Sequence, residues 1–188
     1  MNKYKKYYDM LEKQSIIYDK TQNCCIGQTW KHHLMPVINN AIFLAEKYGA
    51  NKDIVELAAV FHDYANLIDY EDQDNHHIKG AELAKDILIG DGFDEAFVDK
   101  VCLCIKTHRA SVVFNKFSIE QICVADADAK AHLDNVVELL LWRGYLKEDI
   151  QTANAFVKAK IQRSYAKMSE NTKELVKSKY DAIMSILF

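Results

Sequence analysis

A histidine followed directly by an aspartate, His62-Asp63, ends an almost entirely apolar run of the chain, IVELAAVFHD, residues 54–63. Buried imidazole and carboxylate groups both need polar partners, because an unpaired polar group is costly away from water. A divalent metal ion satisfies both groups, since imidazole nitrogen and carboxylate oxygen are good ligands for first-row metals. The pair therefore marks a candidate metal site.

Further candidate ligands occur along the chain, so that the full order is His, His-Asp, His, His, Asp. They are His33, His76, His108 and an aspartate in the segment VADADAKAH, residues 124–132. Taken singly, a histidine on an apolar face is more often a hydrogen-bonded core residue than a ligand. Several inward-facing histidines without a metal would leave many buried polar groups, so the joint pattern favours a metal centre.

Helical spacing directs several of these side chains towards the core. His33 lies four residues before Val37 and shares its apolar stripe, and His108 extends the stripe of Val101 and Ile105. Periodicity leaves some choices open. It does not separate Asp126 from Asp128 or His76 from His77, and it gives less support to His32 and His132.

Helices are predicted throughout, because the chain has only one proline, six glycines and no persistent strand alternation. Gly49 is a predicted helix stop, Asp53 and Asp94 are predicted N-caps, and Ser118 with Gln121 has the spacing of a capping box. Polar breaks are predicted at residues 65–75, 90–92 and 109–117. The predicted helices span residues 3–19, 32–48, 54–66, 76–89, a segment from 95 to His108, 118–141, 148–168 and 172–187.

The composition argues against several other classes of protein. Apolar residues make up 49% of the 188 residues, which is too many for a disordered chain. A net charge of −3 without a basic cluster argues against binding to long nucleic acids. The N-terminus lacks the apolar segment of a signal peptide, and no apolar stretch has the roughly 20 residues of a membrane span.

Five cysteines, an odd number without a CxxC pair, indicate a reduced cytoplasmic protein. Cys24 and Cys25 are adjacent and therefore make poor disulfide partners. Cys102, Cys104 and Cys123 lie in apolar segments, so they are predicted to be small buried residues.

From about Gln28 to Asn135 the chain resembles the HD superfamily of metal-dependent phosphohydrolases, above all its small bacterial and archaeal members. The likeness lies in HHLMPVINNAIFLAEKYGA, FHD, HHIKGAELAKDIL, IKTHR and VADADAKAHLDN. It implies one all-α domain over residues 1–188, with residues 28–135 as its core. An N-terminal helix within 1–27 and C-terminal helices within 136–188 would pack on that core.

The resemblance also implies a ligand set for one or two divalent ions, with Mn, Fe, Co, Ni, Zn or Mg all compatible. The first ion would be held by His33, His62, Asp63 and Asp128. The second would be held by His76 and His108, with Asp63 as a bridge. Two positions differ from many members, which carry Arg where this chain has Pro36 and Lys where it has Asn66.

The implied function is a cytoplasmic, metal-dependent phosphohydrolase that acts on a nucleotide or related phosphoester. Asp63 would be the catalytic residue that orients the attacking water. Lys106, Arg109 and Lys130 adjoin ligand positions and are candidates for binding phosphate, although solvated helix surface is the competing interpretation. The missing cations at 36 and 66 favour an alternative, a non-catalytic metal-containing nucleotide-binding or sensor module. A purely structural metal is a third hypothesis.

Overall fold

The computed structural model describes residues 3–21, 28–109, 116 and 118–187. These residues form ten α-helices and contain no strand, which confirms the all-α prediction. A π-helical turn, Trp30–Leu34, precedes α2, and a 3₁₀ turn, Tyr70–Asp72, follows α4. The helices are α1 Lys5–Thr21, α2 Met35–Tyr48, α3 Lys52–Phe61, α4 Tyr64–Ile68, α5 His76–Gly90, α6 Glu95–Thr107, α7 Ile119–Asp134, α8 Val136–Tyr145, α9 Ile150–Lys167 and α10 Glu170–Ile186.

Three of the predicted helix ends are present. Gly49 ends α2 in the left-handed conformation with a φ of 71°, which glycine adopts without steric cost. The Asp94 side chain accepts a hydrogen bond from the Phe97 N–H at the start of α6. Ser118 and Gln121 form a reciprocal capping box at the start of α7.

Other predicted boundaries are wrong. The N-cap of α3 is Asn51 and not Asp53, because the Asn51 side chain accepts from the Ile54 N–H. The predicted helix 54–66 ends at Phe61, and α4 then enters the segment predicted as a loop. The predicted helix 118–141 breaks at Asn135, where the side-chain amide donates to the Ala131 carbonyl and φ is −118°.

Two groups of buried apolar side chains lie on different sides of α7. One group joins α1 to α6 and, on α7, the side chains of Cys123, Val124, Ala127 and Ala131. The other joins the end of α7 to α8, α9 and α10, with Leu133, Val157 and Ile161 at its centre. Because α7 packs against both α2 and α9, its residues can face groups from distant parts of the chain.

The predicted burial of Cys102, Cys104 and Cys123 is confirmed, and all three are free thiols. Cys24 and Cys25 lie outside the described residues. Among the described helices, none combines the length and the apolar character needed to cross a membrane.

Candidate metal centre

The six predicted ligands come together in space, in two groups of three. Within each group, the potential ligand atoms all lie within 4.8 Å of one another. The first group is His33, His62 and Asp128, and the second group is Asp63, His76 and His108.

The Asp63 carboxylate lies between the two groups. Its Oδ2 atom is 3.0 Å from His33 Nε2 and 3.4 Å from His62 Nε2. Its Oδ1 atom is 3.4 Å from His76 Nε2 and 3.7 Å from His108 Nε2. Each oxygen of one carboxylate therefore faces a different group, which is the arrangement of a bridging ligand.

A break in the helix makes this placement possible. The chain leaves the helical conformation after His62, and Asp63 has a φ of −111° and a ψ of 11°. In a continuous helix, adjacent side chains would point about 100° apart. The turn instead brings the imidazole of His62 and the carboxylate of Asp63 to the same cluster.

Three of the four histidines in the candidate ligand set are anchored in the same way. Their Nδ1 atoms hydrogen-bond the backbone carbonyl three residues earlier: His62 to Ala59 at 2.7 Å, His76 to Gln73 at 2.5 Å and His108 to Ile105 at 2.7 Å. A carbonyl only accepts, so each Nδ1 carries the hydrogen and each neutral ring presents the lone pair of Nε2. Metal-ligating histidines typically have an outer hydrogen bond of this kind.

The charges of the cluster shift its proton affinities. Burial alone would lower the pKa of His62, but the Asp63 and Asp128 carboxylates outweigh it and raise the pKa to about 9. Burial would raise the pKa of Asp63, but His62, His108 and His33 hold it well below its usual range. Burial lowers the pKa of His108 despite the nearby Asp63.

In both pairs of residues between which periodicity could not choose, the structure places one member in the ligand cluster and the other outside it. Asp128 Oδ1 lies 3.9 Å from His33 Nε2, whereas Asp126 faces away and accepts hydrogen bonds from the Ser169 N–H and hydroxyl at the start of α10. His76, and not His77, belongs to the second group. Burial lowers the pKa of His77 to about 4, with His76 and His108 adding to the effect.

Two residues near the ligands lie outside the predicted ligand set, namely Lys167, which the sequence did not indicate, and His132, to which it gave less support. Lys167 donates to Asp128 Oδ2 at 2.9 Å and to the His108 carbonyl at 3.1 Å. The His132 ring stacks on His33, with 5.6 Å between ring centroids, and its Nε2 is 3.6 Å from Asp128 Oδ1. The four-residue spacing from Asp128 to His132 was a usable signal on α7, but nothing local marks Lys167.

The three predicted phosphate-binding cations have different positions. Lys106 is exposed on α6 and does not line the cavity beside the ligand cluster. Lys130 lines a separate cleft and donates to Asp134 and Asn40. Arg109 lines the cavity beside the ligands, where it pairs with Asp74.

This cavity has a volume of about 540 Å³ and reaches from the ligand cluster to α8 and α9. Asp63 and the histidines lie at one end, and Trp142 and Phe156 form an aromatic surface, with their ring centroids 6.2 Å apart. Basic groups of α9, Lys160 and Arg163, are part of the wall. The cavity therefore combines polar, cationic and aromatic surfaces.

The donor set fits one or two divalent transition-metal ions. Buried imidazole nitrogens whose lone pairs converge repel one another unless a proton or a cation lies between them. The Nε2 atoms of His76 and His108 are only 3.3 Å apart, and those of His33 and His62 are 3.4 Å apart. Mixed nitrogen and oxygen donors of this kind suit ions such as Mn, Fe, Co, Ni or Zn.

Comparison with known proteins gives the family. The HD domain model matches residues 31–133, which hold all six candidate ligands. Ribonuclease Y of Rubrobacter xylanophilus is 33% identical over 103 residues, which cover 55% of this chain but only 18% of that protein. An uncharacterized protein of Clostridium beijerinckii is 26% identical over 121 residues, which cover 60% of this chain and 76% of that protein.

Solved structures share the fold over almost the whole chain. Bacillus subtilis YpgQ in complex with ADP superimposes with a TM-score of 0.67 and 22% identity, covering 96% of this chain and 92% of YpgQ. A predicted HD superfamily hydrolase from an uncultured Thermotogales bacterium gives a TM-score of 0.63 and 21% identity, covering 97% and 87%. At this identity the likeness establishes the fold. The match of the HD domain model to more than half of the chain shows that the chain belongs to the HD-domain family.

Proposed function

We propose that this HD-domain protein is a metal-dependent phosphohydrolase that acts on a nucleotide or related phosphoester. The observation that carries the proposal is the position of Asp63. One oxygen of its carboxylate faces His33 and His62, and the other faces His76 and His108. This arrangement opens onto a cavity with cationic walls, which suits a phosphate-bearing substrate.

In this proposal, the first group and Asp63 would hold one ion, and Asp63 with the second group would hold another. Divalent ions held there would supply Lewis acidity, which makes water a better nucleophile and neutralises the charge that develops on a phosphoryl group. Asp63 remains ionised at neutral pH, because its pKa is held well below the usual range. It can therefore accept a hydrogen bond from an attacking water while it joins the two groups.

The other residues keep the ligands in place. The Nδ1–H bonds of His62, His76 and His108 fix the tautomer and the ring orientation, so that Nε2 points into the cluster. Lys167 holds one oxygen of Asp128 and leaves the other directed at His33. Little reorganisation is then needed when the substrate arrives.

A nucleotide is supported as the substrate class by the shape and lining of the cavity. A volume of about 540 Å³ is in the range of pockets that bind small molecules. The Trp142 and Phe156 rings line the cavity beside the Arg143 guanidinium, which lies 3.9 Å from the Phe156 ring centroid, so a base would meet an aromatic and cationic surface there. Arg109, paired with Asp74, lines the same cavity. The structural relative YpgQ was crystallised with ADP.

A second candidate function is a metal-containing nucleotide-binding module without turnover. The observation in its favour is at Asn66, which stands where many HD proteins have a lysine. Its side-chain amide donates to Asp63 Oδ1 at 3.2 Å and brings no positive charge. Pro36 likewise brings no charge to α2.

The deciding experiment is a hydrolysis assay on metal-replete protein with nucleoside mono-, di- and triphosphates and a generic phosphodiester. We expect wild-type turnover that chelator abolishes and Mn²⁺ restores, and no turnover in Asp63→Ala. Asp86→Ala is a matched control, because Asp86 is exposed on α5. Equal activity in wild type and Asp63→Ala would reveal a contaminant. ADP binding without turnover would favour the binding module.

A further inference from the structure

We infer that Lys160 and Arg163 of α9 form the site that binds the phosphate group of the substrate, in place of the cations absent at Pro36 and Asn66. The inference rests on the proposed function, because it takes a phosphate-bearing ligand as the occupant of the cavity. It assigns binding of that ligand to α9, which lies beyond the residues 31–133 matched by the family model.

The spacing of the two residues places them on one face of α9. Lys160 and Arg163 are three residues apart, so they are neighbours on the helix surface. Ser164, four residues after Lys160, also lines the cavity. Lys167 lies on the same face two turns after Lys160 and donates a hydrogen bond to Asp128. The face of α9 that presents these cations is therefore the face that meets the ligand cluster.

Most other basic groups near the cavity already have a carboxylate partner. Lys167 pairs with Asp128 at 2.9 Å, Arg109 with Asp74 at 2.7 Å and Arg143 with Glu148. In the part of the chain that the structure describes, no carboxylate lies within 4.0 Å of the charged nitrogens of Lys160 or Arg163. Their charge is therefore available to a ligand.

The position of Lys160 makes an anion a fitting partner. Lys160 is half-buried, and a desolvated ammonium group without a counter-ion is destabilised. Burial lowers the pKa of Lys160, while Asp128 and Asp63 act in the opposite direction. These carboxylates are thus close enough to interact with Lys160 electrostatically, so an anion held by Lys160 would lie beside the ligand cluster.

The two side chains have complementary properties for holding phosphate. Arginine offers a planar guanidinium group that binds two phosphate oxygens at once. Lysine offers a compact charge that can bind a third phosphate oxygen. Arg163 is exposed and Lys160 is half-buried, so the pair reaches from the cavity mouth into its interior. A phosphate drawn in by Arg163 would meet Lys160 next.

The experiment measures binding of ADP and of inorganic phosphate to the metal-loaded full chain by calorimetry. It compares wild type with Lys160→Gln/Arg163→Gln and with the charge-preserving Lys160→Arg/Arg163→Lys. Lys158→Gln is the matched control, because Lys158 is a lysine of the same helix that does not line the cavity. Metal content and thermal midpoint are recorded for each protein.

We expect the double glutamine variant to bind ADP about tenfold or more weakly, since each charge-assisted hydrogen bond contributes at least that much. Its metal content should not change, the control should bind ADP as wild type does, and the charge-preserving variant should lose clearly less ADP affinity than the glutamine variant. Unchanged ADP affinity in the glutamine variant would overturn the inference. So would an equal loss in the charge-preserving variant, or a wild type that binds neither ADP nor phosphate.

Hydrolysis measured on the same proteins separates this inference from the proposed function. If the wild type hydrolyses phosphoesters and the glutamine variant has the same KM, the hydrolase proposal is supported and the α9 phosphate site is ruled out. If the wild type shows no hydrolysis but its ADP affinity depends on Lys160 and Arg163, the α9 phosphate site is supported and the hydrolase proposal is ruled out.

Discussion

The two groups of candidate ligands are supported in different ways. In the second group, His76 and His108 are both anchored by a backbone carbonyl of their own segment. In the first group, only His62 has that support. Asp128 of the first group depends on Lys167, a residue of α9.

This difference indicates that the first group is the one coupled to the C-terminal helices. His132, which stacks on His33, also bonds the Ser164 hydroxyl of α9 at 3.0 Å. The second group has local anchors within α5, α6 and the turn before α5, although Lys167 also reaches the His108 carbonyl. Changes at Lys167 or Ser164 of α9 should therefore affect the first group more than the second.

The largest effect is expected at Asp63, because among the six candidate ligands it is the one whose two carboxylate oxygens face different groups. Asp63→Ala should remove most of the bound divalent metal from both groups and lower the thermal midpoint, since metal binding is linked to folding. Elemental analysis after dialysis measures the metal content, with Asp86→Ala as the control. Full metal content in Asp63→Ala would contradict the bridging role.

Removing one histidine from each group should separate them. If two ions bind, His62→Ala should lower the metal count by about one and leave the second group occupied, while His76→Ala should do the reverse. Elemental analysis combined with chelator competition shows which group has lost its metal in each variant. If His76 only supports the site from outside, the count would stay the same and affinity would fall about 10- to 100-fold.

A smaller effect is expected at Lys167, which supports a ligand without being one. Lys167→Met should weaken metal binding to the first group by about 10- to 100-fold, because it frees Asp128 from its orienting contact. Lys158→Met on the same helix is the control. Chelator competition measures the loss, and an equal loss from both groups would contradict the stronger coupling of Lys167 to the first group.

The groups should also differ in their response to pH. In the metal-free protein His62 has a pKa of about 9, whereas burial lowers the pKa of His108. The folded-state pKa of His62 is raised, so its contribution to stability is full below its ordinary pKa of 6.5 and is lost as the pH rises through about 9. Metal binding to the first group should therefore release a proton at neutral pH.

Calorimetry in buffers of different ionisation enthalpy would measure that proton. Release should be present in His76→Ala, which keeps the first group, and absent in His62→Ala, which keeps the second. The apparent affinity of the first group should rise with pH up to about 9, because a ligand nitrogen must be deprotonated. A proton count independent of His62 would contradict the assignment.

Local sequence patterns predicted the helices well, because apolar spacing and capping side chains act within a few residues. Ser118 and Gln121 illustrate this, since the two bonds of their capping box join residues three positions apart. The breaks at Asp63 and Asn135 escaped prediction, because apolar spacing continues across both positions. Tertiary contacts and single side-chain bonds decide where such helices stop.

The candidate ligands could be named because each stands on an apolar helical face within a motif typical of the family. Lys167, which supports Asp128, and Lys160, which lines the cavity, could not be named, since the packing of α9 against α7 brings both residues to the site. Asp126 and Asp128 are both buried on α7, so their burial is equally consistent with either as a ligand. Contacts from other parts of the chain distinguish them, because Ser169 at the start of α10 bonds Asp126 and Lys167 of α9 bonds Asp128.

The smallest effect on the metal is expected at Asp126, and it tests that distinction directly. The Asp126 carboxylate accepts from the Ser169 N–H at 3.1 Å and from its hydroxyl at 2.5 Å, so it stabilises the start of α10. Asp126→Asn should lower the free energy of unfolding by about 1–2 kcal/mol, because a hydrogen bond to a charged group is replaced by a neutral one. Metal content should stay at the wild-type value. Asp128→Asn, a change of identical size two residues away, should instead lose metal from the first group. Denaturant unfolding and elemental analysis on both variants provide the comparison. If Asp126→Asn lost metal and Asp128→Asn kept it, the assignment of the aspartate ligand would be reversed.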